Sequence, residues 1–172
     1  MGWKVLRDHF EIRHLLQVTG SGIVIGTSFI PDIAVIDKAT GKIDVSPTFP
    51  DFLKKNYPRL AAANRSEILL CLMEVDVFER SIPVYTFEGA TIHQCFCEVP
   101  GYPNLTHEGY LMYANCYSTD RGKVVQWAKE SAWNELQWVQ RSIASLKRDL
   151  VNAENELAHY KQVLEQLDQE DV

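Results

Sequence analysis

The chain has 172 residues, 46% of them hydrophobic, with a formal net charge of −6 at pH 7 and a pI near 5.3. This length and apolar content suit a single globular domain that buries its own core, with room for one extension. The acidic balance and the lack of a basic run argue against direct binding to nucleic acid or to anionic membranes, since such binding depends on clustered Lys and Arg.

The N-terminal segment and the cysteines indicate a cytoplasmic protein. The first ten residues carry charges where a secretory signal would be apolar. The longest apolar run, residues 68–73, is far shorter than the roughly 20 residues that cross a bilayer. The spacing of the four cysteines does not match a disulfide framework. We therefore predict a cytoplasmic location, reduced thiols and no membrane association.

Alternating apolar and polar residues predict that the chain begins with β-strands. Residues 9–19 have the period of a half-buried strand, and its inward side comprises Phe10, Ile12, His14, Leu16 and Val18. Residues 23–30, 33–37 and 43–45 predict three further strands. Gly41 supplies the positive φ that the last hairpin turn needs. The first part of the chain therefore predicts a four-stranded antiparallel meander.

Two short helices are predicted next. One covers residues 51–57 and is ended by Pro58, because proline cannot continue a helix that precedes it. The other covers residues 65–75, and its apolar residues extend nearly all round the helix, which predicts burial on every side.

Strand character returns at residues 82–87, 90–99 and 110–118. The sequence leaves open whether these strands join the first four in one sheet or form a second. The predicted fold class is α+β: mostly antiparallel sheet or sheets, two short helices and a long C-terminal coiled-coil helix.

A long helix is predicted over residues 119–168, with Thr119 or Asp120 accepting from its free N-terminal amides. The predicted organisation is an α+β body at residues 1–118, this helix, and an acidic tail at residues 169–172. The root of the helix is expected to pack on the body, and its distal part to form a coiled coil.

The distal part of this helix carries a heptad repeat of apolar residues. With Leu136 at heptad position a and Val139 at position d, all ten a and d positions are apolar, which has a probability of about 0.003 by chance after allowing for seven registers. The other positions are nearly all polar, as in a narrow stripe. The predicted oligomer or partner interface comprises Leu136, Val139, Ile143, Leu146, Leu150, Ala153, Leu157, Tyr160, Leu164 and Leu167.

The length of the helix predicts that this stripe needs a partner helix. About 48 helical residues span roughly 72 Å, whereas a compact body of about 118 residues has a diameter of roughly 35 Å. We therefore predict a homo-oligomer formed through the C-terminal helix. A dimer is preferred because two-fold assemblies are by far the commonest.

Flanking charges do not choose the direction or the number of strands. In a parallel dimer, Glu156 would lie near Lys161, which is favourable, and Asp149 near Glu154, which is not. Parallel and antiparallel arrangements, and higher strand numbers, therefore stay open.

The helix root contains three tryptophans. Trp127 and Trp138 lie on a face away from the seam and Trp133 on its flank. Since tryptophan has much area to bury and an indole N–H to satisfy, we expect Trp127 and Trp138 to anchor the root on the body. The alternative is an exposed binding patch.

One strand carries the best candidates for metal binding. His93, Cys95 and Cys97 would share a face of that strand, and Cys116 could join them from the next strand. Imidazole and thiolates suit zinc, but residues two apart on a flat strand diverge. We therefore favour cysteines that act as small apolar core residues and predict no metal or other cofactor.

No catalytic motif is found. His107 and Glu108 form only a local acid–base pair in a polar loop. The leading hypothesis is a non-enzymatic protein-interaction module that self-associates through its coiled coil and presents the body to a protein target. One alternative is an acidic inhibitor that blocks a nucleic-acid-handling partner. The other is an enzyme with a site near the 99–109 loop.

Overall fold

The computed structural model describes residues 1–101, 103–113 and 115–170, without the side chains of residues 168–170. The chain divides into two compact units, Met1–Val124 and Val125–Val172. The first has an α+β fold with antiparallel sheets, as predicted. The predicted acidic tail at residues 169–172 lies partly outside the described residues.

The predicted meander is confirmed. Its four strands pair antiparallel in chain order, and they are β1 (Leu15–Val18), β2 (Ile23–Gly26), β3 (Ala34–Ile36) and β4 (Ile43–Val45). Every residue of β2 is buried, in keeping with its apolar character on both faces. Gly41 has a φ of 65° in the turn between β3 and β4, the conformation that glycine adopts most readily.

The first element is a helix, α1 (Trp3–His9), which is not predicted from the sequence. The strand expected from residue 9 therefore starts only at Leu15. Two backbone bonds end the helix: the N–H of Glu11 donates to Asp8 O (3.3 Å) and that of Ile12 to Arg7 O (2.8 Å). This is the Schellman pattern, with Glu11 in the left-handed position at a φ of 52°.

Hydrogen bonds at its N-terminal end help to hold α1 in place. The N–H of Gly2 donates to Leu72 O (3.0 Å), and a Cβ at Gly2 would lie 2.0 Å from Cys71 O, so only glycine allows this approach. The Asp76 carboxylate accepts from the N–H groups of Lys4 and Val5, each at 2.9 Å. Asp76 therefore caps α1 from a distant part of the chain.

Three short helices follow the meander: α2 (Phe52–Asn56), α3 (Pro58–Ala62) and α4 (Arg65–Met73). The helices predicted over residues 51–57 and 65–75 are confirmed as α2 and α4. Helix α3 is not predicted from the sequence, because Pro58 indicates the end of α2, whereas proline at a first position also starts a helix.

The predicted burial of α4 on all sides is wrong. Ile68, Cys71 and Leu72 are buried in the main core, but Leu70 and Met73 are 65% and 80% exposed. Only one side of α4 faces the rest of the core, so apolar residues on its other side remain in solvent.

The second group of strands forms two small sheets. One is the hairpin β5 (Ile82–Glu88) and β6 (Thr91–Cys97), and the other pairs β7 (Asn104–Leu105) with β8 (Leu111–Met112). The strand predicted over residues 110–118 is thus reduced to two residues; Ala114, within it, lies outside the described residues.

Two hydrophobic clusters make up the core of the first unit. The larger one combines the meander with α1, α2, α3 and α4, and Leu6, Ile23, Ile36 and Leu60 in it are fully buried. The smaller one comprises Val84, Cys97 and Met112.

The last element is α5 (Arg121–Glu170), a helix of 50 residues and so about 75 Å long. Asp120 caps it as predicted: Oδ1 accepts from the N–H of Gly122 (2.8 Å) and of Lys123 (3.3 Å). No helix in the described part of the chain combines the length and apolarity needed to cross a membrane.

Candidate interaction surface

The ten predicted interface residues form a continuous apolar strip on α5, here called the seam. None of them is covered within the single chain. Their large side chains are 43% to 67% exposed, and Ala153 is exposed as well. The seam comprises Leu136, Val139, Ile143, Leu146, Leu150, Ala153, Leu157, Tyr160, Leu164 and Leu167.

Burial on α5 stops at its first turn. Val124 is fully buried, whereas residues 125–167 include no buried side chain. Trp127 is half-buried, and Trp133 and Trp138 are 59% and 63% exposed. The burial expected for Trp138 is therefore not met in the single chain, which leaves two indole rings in solvent beside the start of the seam.

The side chains of α5 make weak hydrogen bonds along the helix itself. Gln126 Nε2 donates to Glu130 Oε1 (2.9 Å), and Arg141 Nε donates to the carbonyl of Gln137 (3.1 Å). Such contacts stabilise an isolated helix by only about 0.2–0.5 kcal/mol each. Because most helix stability in proteins comes from packing an apolar face, the seam is the main stabilising surface that α5 can still use.

The first unit exposes a second set of apolar side chains. Leu70 and Met73 on α4, followed by Val75 and Val77, are 65% to 80% exposed within eight residues of sequence. Concentrated exposed apolar residues of this kind are typical of protein-binding surfaces. We call these four residues the α4 patch.

The metal-site candidates lie in different surroundings. His93 and Cys116 are exposed, Cys95 is half-buried, and Cys97 is buried against Val84 and Met112. Burial raises the pKa of the Cys95 and Cys97 thiols, which favours the protonated form over the thiolate that binds metal. Across the described residues, no three His, Cys, Asp or Glu side chains are grouped to hold a metal ion.

The loop at residues 99–109 borders a cavity of about 200 Å³. The His107 ring stacks on Phe78 with 3.8 Å between centroids and a 4° interplanar angle. Its Nε2–H donates to Arg80 O (3.0 Å), and its backbone carbonyl accepts from Trp3 Nε1 (2.7 Å). His107 therefore holds this loop against α1 and the segment after α4, and it does so without Glu108.

A second cavity, of about 380 Å³, lies beside His14 and Tyr57. The buried Tyr57 hydroxyl accepts from the N–H groups of Arg13 (3.1 Å) and His14 (2.9 Å) and also contacts His14 Nδ1. Arg59 and Glu11, 4.0 Å apart, lie at its edge. The sequence does not predict this group, because His14 and Tyr57 lie far apart in sequence and match no motif.

Comparison of the chain with protein-family models, curated proteins and solved structures found no match.

Proposed function

We propose that this protein is a cytoplasmic, non-enzymatic interaction module that forms a homodimer through the seam of α5 and presents its α+β unit to a protein target. The observation that supports the proposal best is the seam itself. It is an unbroken heptad pattern that lies on a regular helix and is exposed along its full length.

The energetics favour pairing of two seams. Burying the exposed half of each large seam side chain stabilises the dimer by about 1 kcal/mol. Both helices contribute such side chains. For the nine large side chains on each of two helices, the summed gain is about 18 kcal/mol, which exceeds the roughly 4–15 kcal/mol that association costs. A second copy presents the same strip with the same spacing, which makes it the simplest partner.

The α4 patch supports a protein target for the first unit. Its residues are exposed in the unit whose core is otherwise well buried. A dimer would carry two copies of the patch and could gain affinity for a multivalent target without new contacts.

Sedimentation velocity at micromolar concentrations tests the self-association. We expect the wild type to sediment as a dimer, and Leu150→Asp with Leu157→Asp to give a folded monomer, because unpaired carboxylates would lie in an apolar interface. The matched control is Asn152→Asp with Asn155→Asp, which adds the same charge on other faces of the helix and should leave the dimer intact. A monomeric wild type would contradict the proposal.

A pull-down with chains truncated near Ser145 tests the second part. Truncation removes most of the seam but keeps the α4 patch. We expect weakened but specific target binding that is lost on Met73→Asp. Binding that depends only on the missing helix would mean that the seam contacts the target directly.

The enzyme alternative has one supporting feature, the cavity beside the 99–109 loop. The imidazole of His107, which borders this cavity, already stacks on Phe78 and donates a hydrogen bond to the backbone carbonyl of Arg80. His107 is therefore poorly placed to exchange protons with a substrate. The alternative of an acidic inhibitor depends on the net charge of −6 alone.

A further inference from the structure

We infer that the two helices of the dimer run antiparallel, in the register that packs Leu150 of one chain on Ala153 of the partner subunit. This inference rests on the proposed function, since it specifies how the second copy covers the seam. It comes from the sizes of the side chains that each arrangement brings face to face.

A parallel pair places each seam residue opposite its own copy. Ala153 would then face Ala153 of the partner subunit, and one heptad later Tyr160 would face Tyr160 of the partner subunit. The first layer would leave a void and the second would crowd two phenol rings. Since the helix axes lie at one common spacing, the two layers cannot both be well packed.

An antiparallel pair places each a residue opposite a d residue, because reversing one helix exchanges the order of the two positions. One register matches all ten seam residues to one another. In this register each small side chain faces a larger one, and the layers are Leu136–Leu167, Val139–Leu164, Ile143–Tyr160, Leu146–Leu157 and Leu150–Ala153.

The register follows from the ends of the seam. A shift by one heptad in either direction would leave seam residues at one end of each helix without a seam partner, and those side chains would stay exposed as they are in the single chain. The two-fold axis therefore passes between residues 151 and 152, and the ends of the seam lie equally far from it.

Charges alone do not decide between the two directions. The antiparallel register brings Lys147 near Glu154 of the partner subunit, which is favourable, and Asp149 near Glu156 of the partner subunit, which is not. The parallel pair also has one favourable and one unfavourable contact per helix. Exposed pairs of this kind contribute little, so the packing of Ala153 and Tyr160 determines the direction.

Disulfide mapping tests the direction. Val139→Cys and Leu164→Cys are combined in one full-length chain that also carries Cys116→Ser, because Cys116 is the exposed native thiol. The protein is equilibrated in a glutathione redox buffer and digested with trypsin, and the linked peptides are identified by mass spectrometry. The matched control carries Gln137→Cys and Gln166→Cys, at outward heptad positions within the same two tryptic peptides.

We expect the linkage from position 139 to position 164 to account for nearly all intermolecular cross-links, and the control pair to give few. Within one chain these positions are about 37 Å apart, too far for a disulfide, so that linkage must join two antiparallel chains. Linkages of 139 to 139 and 164 to 164 would show a parallel dimer, which overturns this inference and leaves the proposed function standing. A dimer in which no linkage exceeds the control also overturns the inference, whereas a monomer in sedimentation overturns both.

Discussion

The two units of this chain use apolar residues in opposite ways. Every buried hydrophobic residue in the described structure belongs to the first 124 residues. The helix beyond that point carries Leu, Ile, Val and Trp in comparable abundance and buries none of them. The first unit therefore completes its core within one chain, whereas the large apolar side chains of the seam on α5 stay exposed.

The physical reason lies in the geometry of the elements. In the first unit, α1 and α4 cover the meander, so one face of each element meets another. A single helix has a stripe on one side and cannot fold back on itself. The same residue types therefore stabilise the fold in the first unit and are available for association in α5.

The largest expected effect separates stability from association. Ile36 is fully buried, so Ile36→Ala should lower the free energy of unfolding by about 2–5 kcal/mol without changing the dimer dissociation constant below the melting temperature. Leu150→Ala, the matched seam variant, should weaken the dimer and leave the unfolding of the first unit unchanged. Urea denaturation measures the free energy of unfolding and sedimentation measures the dimer dissociation constant. If either variant changes both quantities, the two units are not independent.

The pH dependence of stability tests the cap on α1. Burial raises the pKa of Asp76, although the amides of Val5 and Lys4 oppose the shift. A raised pKa means that the folded state binds the proton more tightly than the unfolded state. The contribution of Asp76 to the free energy of unfolding should therefore rise as the pH falls from neutral towards the ordinary Asp pKa of about 3.9.

Asp76→Asn keeps an acceptor oxygen but removes the titratable carboxyl. The difference in free energy of unfolding between wild type and variant, followed as a function of pH, therefore isolates the contribution of this group. The free energy of unfolding of the wild type should rise relative to that of the variant on acidification, and this difference should level off below the ordinary Asp pKa. Chemical denaturation at several pH values measures it. A shift in the opposite direction would show that the cap favours the ionised carboxylate.

The smallest expected effect concerns the end of α1. Glu11 occupies the left-handed position that glycine normally takes, so Glu11→Gly should raise the free energy of unfolding by about 0.5–1 kcal/mol. Glu11→Ala keeps the strain and should be close to neutral, because the contact with Arg59 at 4.0 Å is mostly exposed. Thermal melts compare the stabilities of the wild type and the two variants. An equal loss of stability in both variants would indicate a role for the Glu11 carboxylate itself.

Local patterns in the sequence predicted much of the fold. The four strands of the meander, the turn at Gly41, helices α2 and α4, and the cap at Asp120 all follow from period, turn residues or capping chemistry within a few positions. The seam was also readable, since a heptad pattern is a local property of one helix. Its partner is a prediction that sedimentation must test.

The sequence by itself therefore determined the α+β class, the order of most elements and the position of the seam, because each depends on neighbouring residues along the chain. Only the tertiary structure decided that α1 docks through Gly2 and Asp76, that the later strands form two separate small sheets, and that Tyr57 joins His14. It also decided which apolar residues of α4 and α5 stay exposed. These features depend on which distant surfaces meet, and a one-dimensional pattern does not contain that information.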